Sequence, residues 1–156
     1  MAKFNAKPLS AWEDRFRTPS LAELRAAQPN KTLGQVLEHA RERLAAFEGV
    51  KSEIAWQGIP WRWTIVFHPG DDEGLPLAYL VPEPGKLQVA VPLRREFAGT
   101  LPVKRLPRVI RDRIVFASEV AGILWPRFEF STKGQFDEIE DLIRRKRAFS
   151  SETAAT

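Results

Sequence analysis

The chain has 156 residues, of which 44% are hydrophobic and 28% charged, with a net charge of +4. That is the ordinary balance of one globular domain with its own core. It contains no cysteine, which excludes disulfides and thiolate metal sites, and no stretch approaches the roughly 18 apolar residues of a membrane span. The N-terminal residues carry no apolar run of signal-peptide length. The expectation is therefore a soluble cytoplasmic protein with no membrane association. A net +4 is a mild bias toward anionic partners and weak grounds for nucleic acid on its own.

Residues 1–31 read as an N-terminal arm with short helices. Ser10 is placed to cap "AWEDRF", with Glu13 three residues on as the capping-box partner. Pro19 and Ser20 open a second helix, "SLAELRAAQ", which Pro29 and Asn30 end. An arm of this kind packs on its own domain or on a partner, and an oligomer formed through residues 1–31 is one expectation. Residues 32–48 form the clearest helix. Thr32 reads as its N-cap, and Leu33, Val36, Leu37, Ala40, Leu44 and Phe47 recur at helical spacing, giving one apolar stripe. Gly49 ends it.

The period then changes to two. "SEIAW" is a short strand. In "WRWTIVFH", Trp61, Trp63, Ile65 and Phe67 are expected on one face, with Arg62, Thr64, Val66 and His68 on the other. After the acidic turn "PGDDEGLP" come "LAYLVP", the turn "EPGK", and "LQVAVPL", where Pro92 suggests an edge. Short loops between these strands make a meander. Pro107 opens a helix, "RVIRDRIVFAS", with Val109, Ile110, Ile114 and Ala117 inward. "ILWPRFEFS" reads as one further strand. The last helix carries Phe136, Ile139, Leu142, Ile143 and Phe149 on one stripe, and residues 150–156 read as a disordered tail.

Strands followed by helices, without regular βαβ alternation, predict an α+β fold. The expected form is a curved antiparallel sheet of four to five strands, with helices packed mainly on one face and one domain over residues 32–149. The series "GIPWRWTIVF", "LAYLVPEPGKLQVAVPL" and "LWPRFEFSTKGQFDEIEDLIRRKR" resembles small bacterial YdhG-like domains, and especially the related domain-of-unknown-function 3788 family. The resemblance covers roughly residues 32–149 and rests on core positions. It implies a compact α+β fold and transfers no activity, cofactor or catalytic residue.

Three constellations bear on function. Trp61 and Trp63, at about 7 Å if they share a strand face, suit either a stacking platform or core. Ile65 and Phe67 continue that face without a polar break, which favours core. Between residues 94 and 113, seven bases against two acids leave a net +5, so the excess positive charge of the chain is local. Arginine forks there match phosphate oxygens. "RRKR", Arg144 to Arg147, follows Glu140 and Asp141 at helical spacing and reads as helix stabilisation. His39 and His68 lack metal-ligand spacing, and neither a nucleophile elbow nor a phosphate-binding loop is present. No metal or cofactor is expected.

The first functional expectation is a non-enzymatic binding or adaptor module for an anionic small molecule or an acidic protein partner. Its groove would lie at one end of the sheet, among Trp61, Arg62, Trp63, Arg94, Arg95 and Arg127. The second is nucleic-acid binding through Lys104, Arg105, Arg108 and Arg111. The third is a small enzyme with a carboxylate base, for which no catalytic residue is singled out.

Overall fold

The computed structural model describes residues 9–70 and 74–154; the first eight residues of the arm, the acids Asp71 to Glu73 and the last two residues of the tail lie outside them. Residues 10–14 form turns, with the Glu13 and Asp14 amides bonded to the Ser10 carbonyl. The expected capping box does not form there: the Ser10 hydroxyl donates to the Glu13 side chain itself, so one turn closes and no helix propagates. The box forms instead at Ser20, which caps α1 (Leu21–Ala26) with Glu23 as partner. In α2 (Lys31–Ala45) the cap is Asn30, two residues before Thr32. Its side chain accepts the Leu33 amide, the N3 donor that a helix start leaves unpaired.

Four strands follow as a meander: β1 (Lys51–Trp56), β2 (Trp63–His68), β3 (Ala78–Glu83) and β4 (Lys86–Ala90). A crossover returns β8 (Arg127–Glu129) to the side of β4, and the order is β1-β2-β3-β4-β8, antiparallel throughout. The register places Ile54, Ile65, Leu80, Val89 and Phe128 in one row across all five strands. The neighbouring row, Glu53, Val66, Tyr79, Ala90 and Arg127, points to the opposite face. The first row is the core face. It packs with Val36, Leu37, Ala40 and Leu44 of α2 and with Phe136, Ile139, Leu142 and Ile143 of α5 (Lys133–Ala154). The fold is thus α+β, with an open antiparallel sheet.

α5 is held by its charged side chains as well as its apolar stripe. Arg43 of α2 donates twice to Glu140, at 2.6 and 2.7 Å, and Glu140 also receives Arg144. Arg145 donates to Asp141 at 3.1 Å. Lys146 and Arg147 reach backbone carbonyls instead: Lys146 those of Pro76 and Leu77, Arg147 those of Pro69 and Glu48. The "RRKR" run therefore ties the last helix to two loops. The helix itself runs to Ala154, into the segment expected as a tail, because no glycine or proline interrupts residues 148–154.

Between β4 and β8 the chain builds a small sheet of β5 (Leu93–Arg94), β6 (Glu119–Val120) and β7 (Ile123–Leu124), in the order β5-β7-β6. α3 (Arg95–Ala98), a 3-10 turn (Val103–Arg105) and α4 (Arg108–Val115) lie in the β5–β6 connection. Two expected strands are therefore split by proline. Pro92 marks the passage from β4 to the small sheet and not an edge, since β4 pairs on both sides. Pro126 separates β7 from β8 because it has no amide to continue a ladder. Arg62 splits a third. It sits at φ 56, its amide bonds the Gly58 carbonyl and its carbonyl accepts the Gln57 amide. β2 consequently begins at Trp63, and Trp61 leaves the face shared by Trp63, Ile65 and Phe67.

Candidate functional site

The tryptophans separate into two groups. Trp63 is 7% exposed, lies edge-on to Trp56 with ring centroids 5.5 Å apart, and donates from Nε1 to the Asp14 carbonyl at 2.7 Å. Trp12, 5% exposed, donates to the Trp61 carbonyl at 3.0 Å. The described part of the arm thus closes over its own domain. Trp61 lies against Tyr79, at 5.3 Å, and Tyr79 against Trp125, at 5.8 Å. Tyr79 belongs to the row opposite the core, so these three half-buried rings cross the second face of the sheet, beside buried Val66 and Ala90. Burial pushes the Tyr79 hydroxyl above its ordinary pKa. The rings are tilted by 52° and 48° to one another and do not present one flat stacking surface. Trp61→Phe is expected to remove more of the acrylamide-quenchable emission than Trp63→Phe; equal losses would contradict this placement.

The four arginines expected around one groove do not meet. β2 and β4 run in the same direction, so Arg62, before β2, lies at the end of the β3–β4 turn. Arg94, Arg95 and Arg127 lie at the other end, where β4 finishes and β8 begins. Arg62 is committed locally, its guanidinium 5.2 Å from the Trp12 ring centroid. Arg95 forms a two-pronged pair with Glu119, which holds that carboxyl below its usual range and ties α3 to the small sheet. Arg94 is exposed in β5, opposite Ile123. Arg127 is exposed on the second face of the sheet and makes no side-chain ion pair among the described residues.

Arg127 instead borders a groove that it shares with α4. Val109, Asp112, Arg113 and Phe116 follow one another at helical spacing on one side of α4 and its cap, facing Trp125 and Arg127 across a cavity of about 440 Å³. Ile110 and Ile114 take the inner side of α4. Val109, expected inward, is 62% exposed, and Phe116 is 84% exposed. The reason is geometric: α4 is short and offers the core one narrow stripe, and Val109 is a residue out of phase with it. Asp112 receives Arg108 and Arg111, each at 3.6 Å, so two of the segment's bases are partly neutralised. Arg113 and, on the 3-10 turn, Lys104 and Arg105 have no carboxylate partner among the described residues.

The histidines each meet a carboxylate that local spacing does not reveal. His39 Nε2 is 2.8 Å from Asp137, across 98 residues, and His68 Nε2 is 3.1 Å from Glu53, across 15. No group of three or more metal-ligating side chains occurs among the described residues. Glu23, Glu38 and Glu119 are held below the ordinary carboxylate range, foremost by hydrogen bonds from Arg17, Arg41 and Arg95. A general base poised near neutrality needs the opposite displacement.

No family model matches the chain, and no curated protein or solved structure does.

Proposed function

We propose that the protein is a non-enzymatic binding module that holds an acidic protein partner in the groove between α4 and β8. The observation carrying this reading is the pair Arg113 and Arg127. Both are exposed, both lack a carboxylate partner among the described residues, and both border a cavity rimmed by exposed Val109 and Phe116. Elsewhere on the chain, Arg17, Arg41, Arg43, Arg95, Arg144 and Arg145 each have an acid. Unneutralised guanidinium groups beside apolar side chains suit a ligand carrying carboxylates and some apolar surface.

A nucleic-acid reading is supported by the unpaired Lys104 and Arg105, but Arg108 and Arg111 already share Asp112. Titration with poly-L-glutamate at low salt, followed by tryptophan fluorescence, tests the leading reading, because Trp125 lines the groove. The expected result is a saturable response that Arg113→Glu with Arg127→Glu weakens by about tenfold or more, the scale of close charge pairs at interfaces. No response, or an unchanged affinity in the double variant, contradicts it. Tighter binding to a single-stranded oligonucleotide, lost with Lys104→Glu and Arg105→Glu, would favour the nucleic-acid reading instead.

A further inference from the structure

β8 is the last strand of the main sheet, and its register tells which backbone groups face outward. The Phe130 amide bonds the Leu87 carbonyl at 3.0 Å, and the Val91 amide bonds the Pro126 carbonyl at 3.1 Å. Bonded positions alternate along an antiparallel pair, so Pro126, Phe128 and Phe130 direct their backbone groups to β4. Arg127 and Glu129 direct theirs away from it. No described residue accepts or donates to those outward groups. An unpaired edge of this kind is a template for another strand.

Arg127, at the start of that edge, also lines the groove. α4 stands alongside β8 with the stripe from Val109 to Phe116 turned toward it, and Trp125 and Arg127 complete the lining. An extended segment that pairs with an open edge strand is held there by main-chain bonds, with its alternate side chains free to meet neighbouring groups.

We propose that the partner binds by adding a strand to β8, as an extended segment carrying an Asp or Glu and, two residues away, a large apolar side chain. Alternation dictates that spacing. A residue opposite Arg127 places its side chain on the same face as that guanidinium, where charge complementarity calls for a carboxylate. The residue two positions on shares that face and comes beside Trp125 and Phe116, which calls for an apolar group. The segment's own amides and carbonyls satisfy Arg127 and Glu129. This inference rests on the acidic-partner reading and adds the binding mode and the motif.

The test uses the full chain and the synthetic peptide acetyl-STEVFTS-amide, whose Glu and Phe stand two residues apart. Amide hydrogen exchange at Arg127 and Glu129 is expected to slow in the complex. N-methylation along the peptide is expected to weaken binding by about tenfold at alternate positions, the scale of one backbone hydrogen bond, and to leave the positions between unaffected. Arg127→Glu is expected to reverse the preference toward acetyl-STKVFTS-amide. If binding depends on Arg127 while exchange at the two amides is unchanged and N-methylation shows no alternation, strand addition is wrong and the acidic groove stands. If neither the peptide nor poly-L-glutamate binds, both fall. Protection of the two amides that rises with protein concentration in the absence of peptide would assign the edge to a second copy of the chain and overturn the proposal.

Discussion

Phe67→Ala is expected to lower stability by about 3–5 kcal/mol, the cost of removing a buried phenylalanine and leaving its cavity. Phe67 is 0% exposed. It sits in β2 between Ser52 of β1 and Ala78 of β3, on the side of the sheet that α2 and α5 cover. Both strand neighbours are small, so neither fills the space. For a chain of this size the melting temperature falls by roughly 2–4 °C per kcal/mol, a large part of the 5–15 kcal/mol that typically separates folded from unfolded. Phe67→Leu keeps most of the volume and is expected to lose under about 1.5 kcal/mol more than a neutral surface change. Urea denaturation of both variants checks the pair. A Phe67→Ala loss below about 1 kcal/mol would place Phe67 outside a close-packed core.

The second large effect comes from backbone geometry. Gly70 has φ +75, and a Cβ built there lies 2.5 Å from the carbonyl oxygen of Gly49, itself at φ +76. That obstacle is backbone and belongs to the turn between α2 and β1, so it cannot swing aside as a side chain would. Arg147 bonds the carbonyls of Pro69 and Glu48, on the residues just before these glycines, which fastens the two turns together. Gly70→Ala is expected to cost the roughly 1–2 kcal/mol of a left-handed L-residue plus the displacement of the turn. Gly58→Ala is the matched control: its φ is +78 and nothing lies within 4 Å of a Cβ there. It is expected to lose the conformational part alone. Equal thermal shifts for the two variants would show that the Gly70–Gly49 approach contributes nothing.

Much of the architecture is legible in the chain because its signals are local. Ile65 with Phe67, and Leu87 with Val89, alternate within strands that do form. The stripes of α2 and α5 lie at helical spacing and are buried as that spacing requires. What escapes is non-local or conformational. Trp61 leaves its expected face because Arg62 adopts a positive φ, which no periodicity reports. Asn30 takes the cap from Thr32; two suitable side chains stand two residues apart, and local spacing alone does not rank them. The candidate site was half visible. Arg127 stands out as a base beside an apolar strand, and Arg113 within the +5 segment. Val109, expected inward, and Phe116, which no expectation places on a face, line it as well, and their spacing from Asp112 and Arg113 marks the side of α4 that Ile110 and Ile114 do not use. The pairing of Arg95 with Glu119, and of Arg62 with Trp12, decides which arginines stay available, and only three-dimensional contact shows it.

The location of acidic binding is the most direct test of this account. An amide chemical-shift map of the full chain, recorded during titration with poly-L-glutamate at low salt, should show its largest changes at residues 109–117 and 125–129. The α5 basic residues Arg144 to Arg147 should move little, being already bonded to carboxylates and carbonyls. Changes centred on Lys104 and Arg105, on the arm, or spread evenly over every basic surface would show that the groove between α4 and β8 is not where the protein receives its partner.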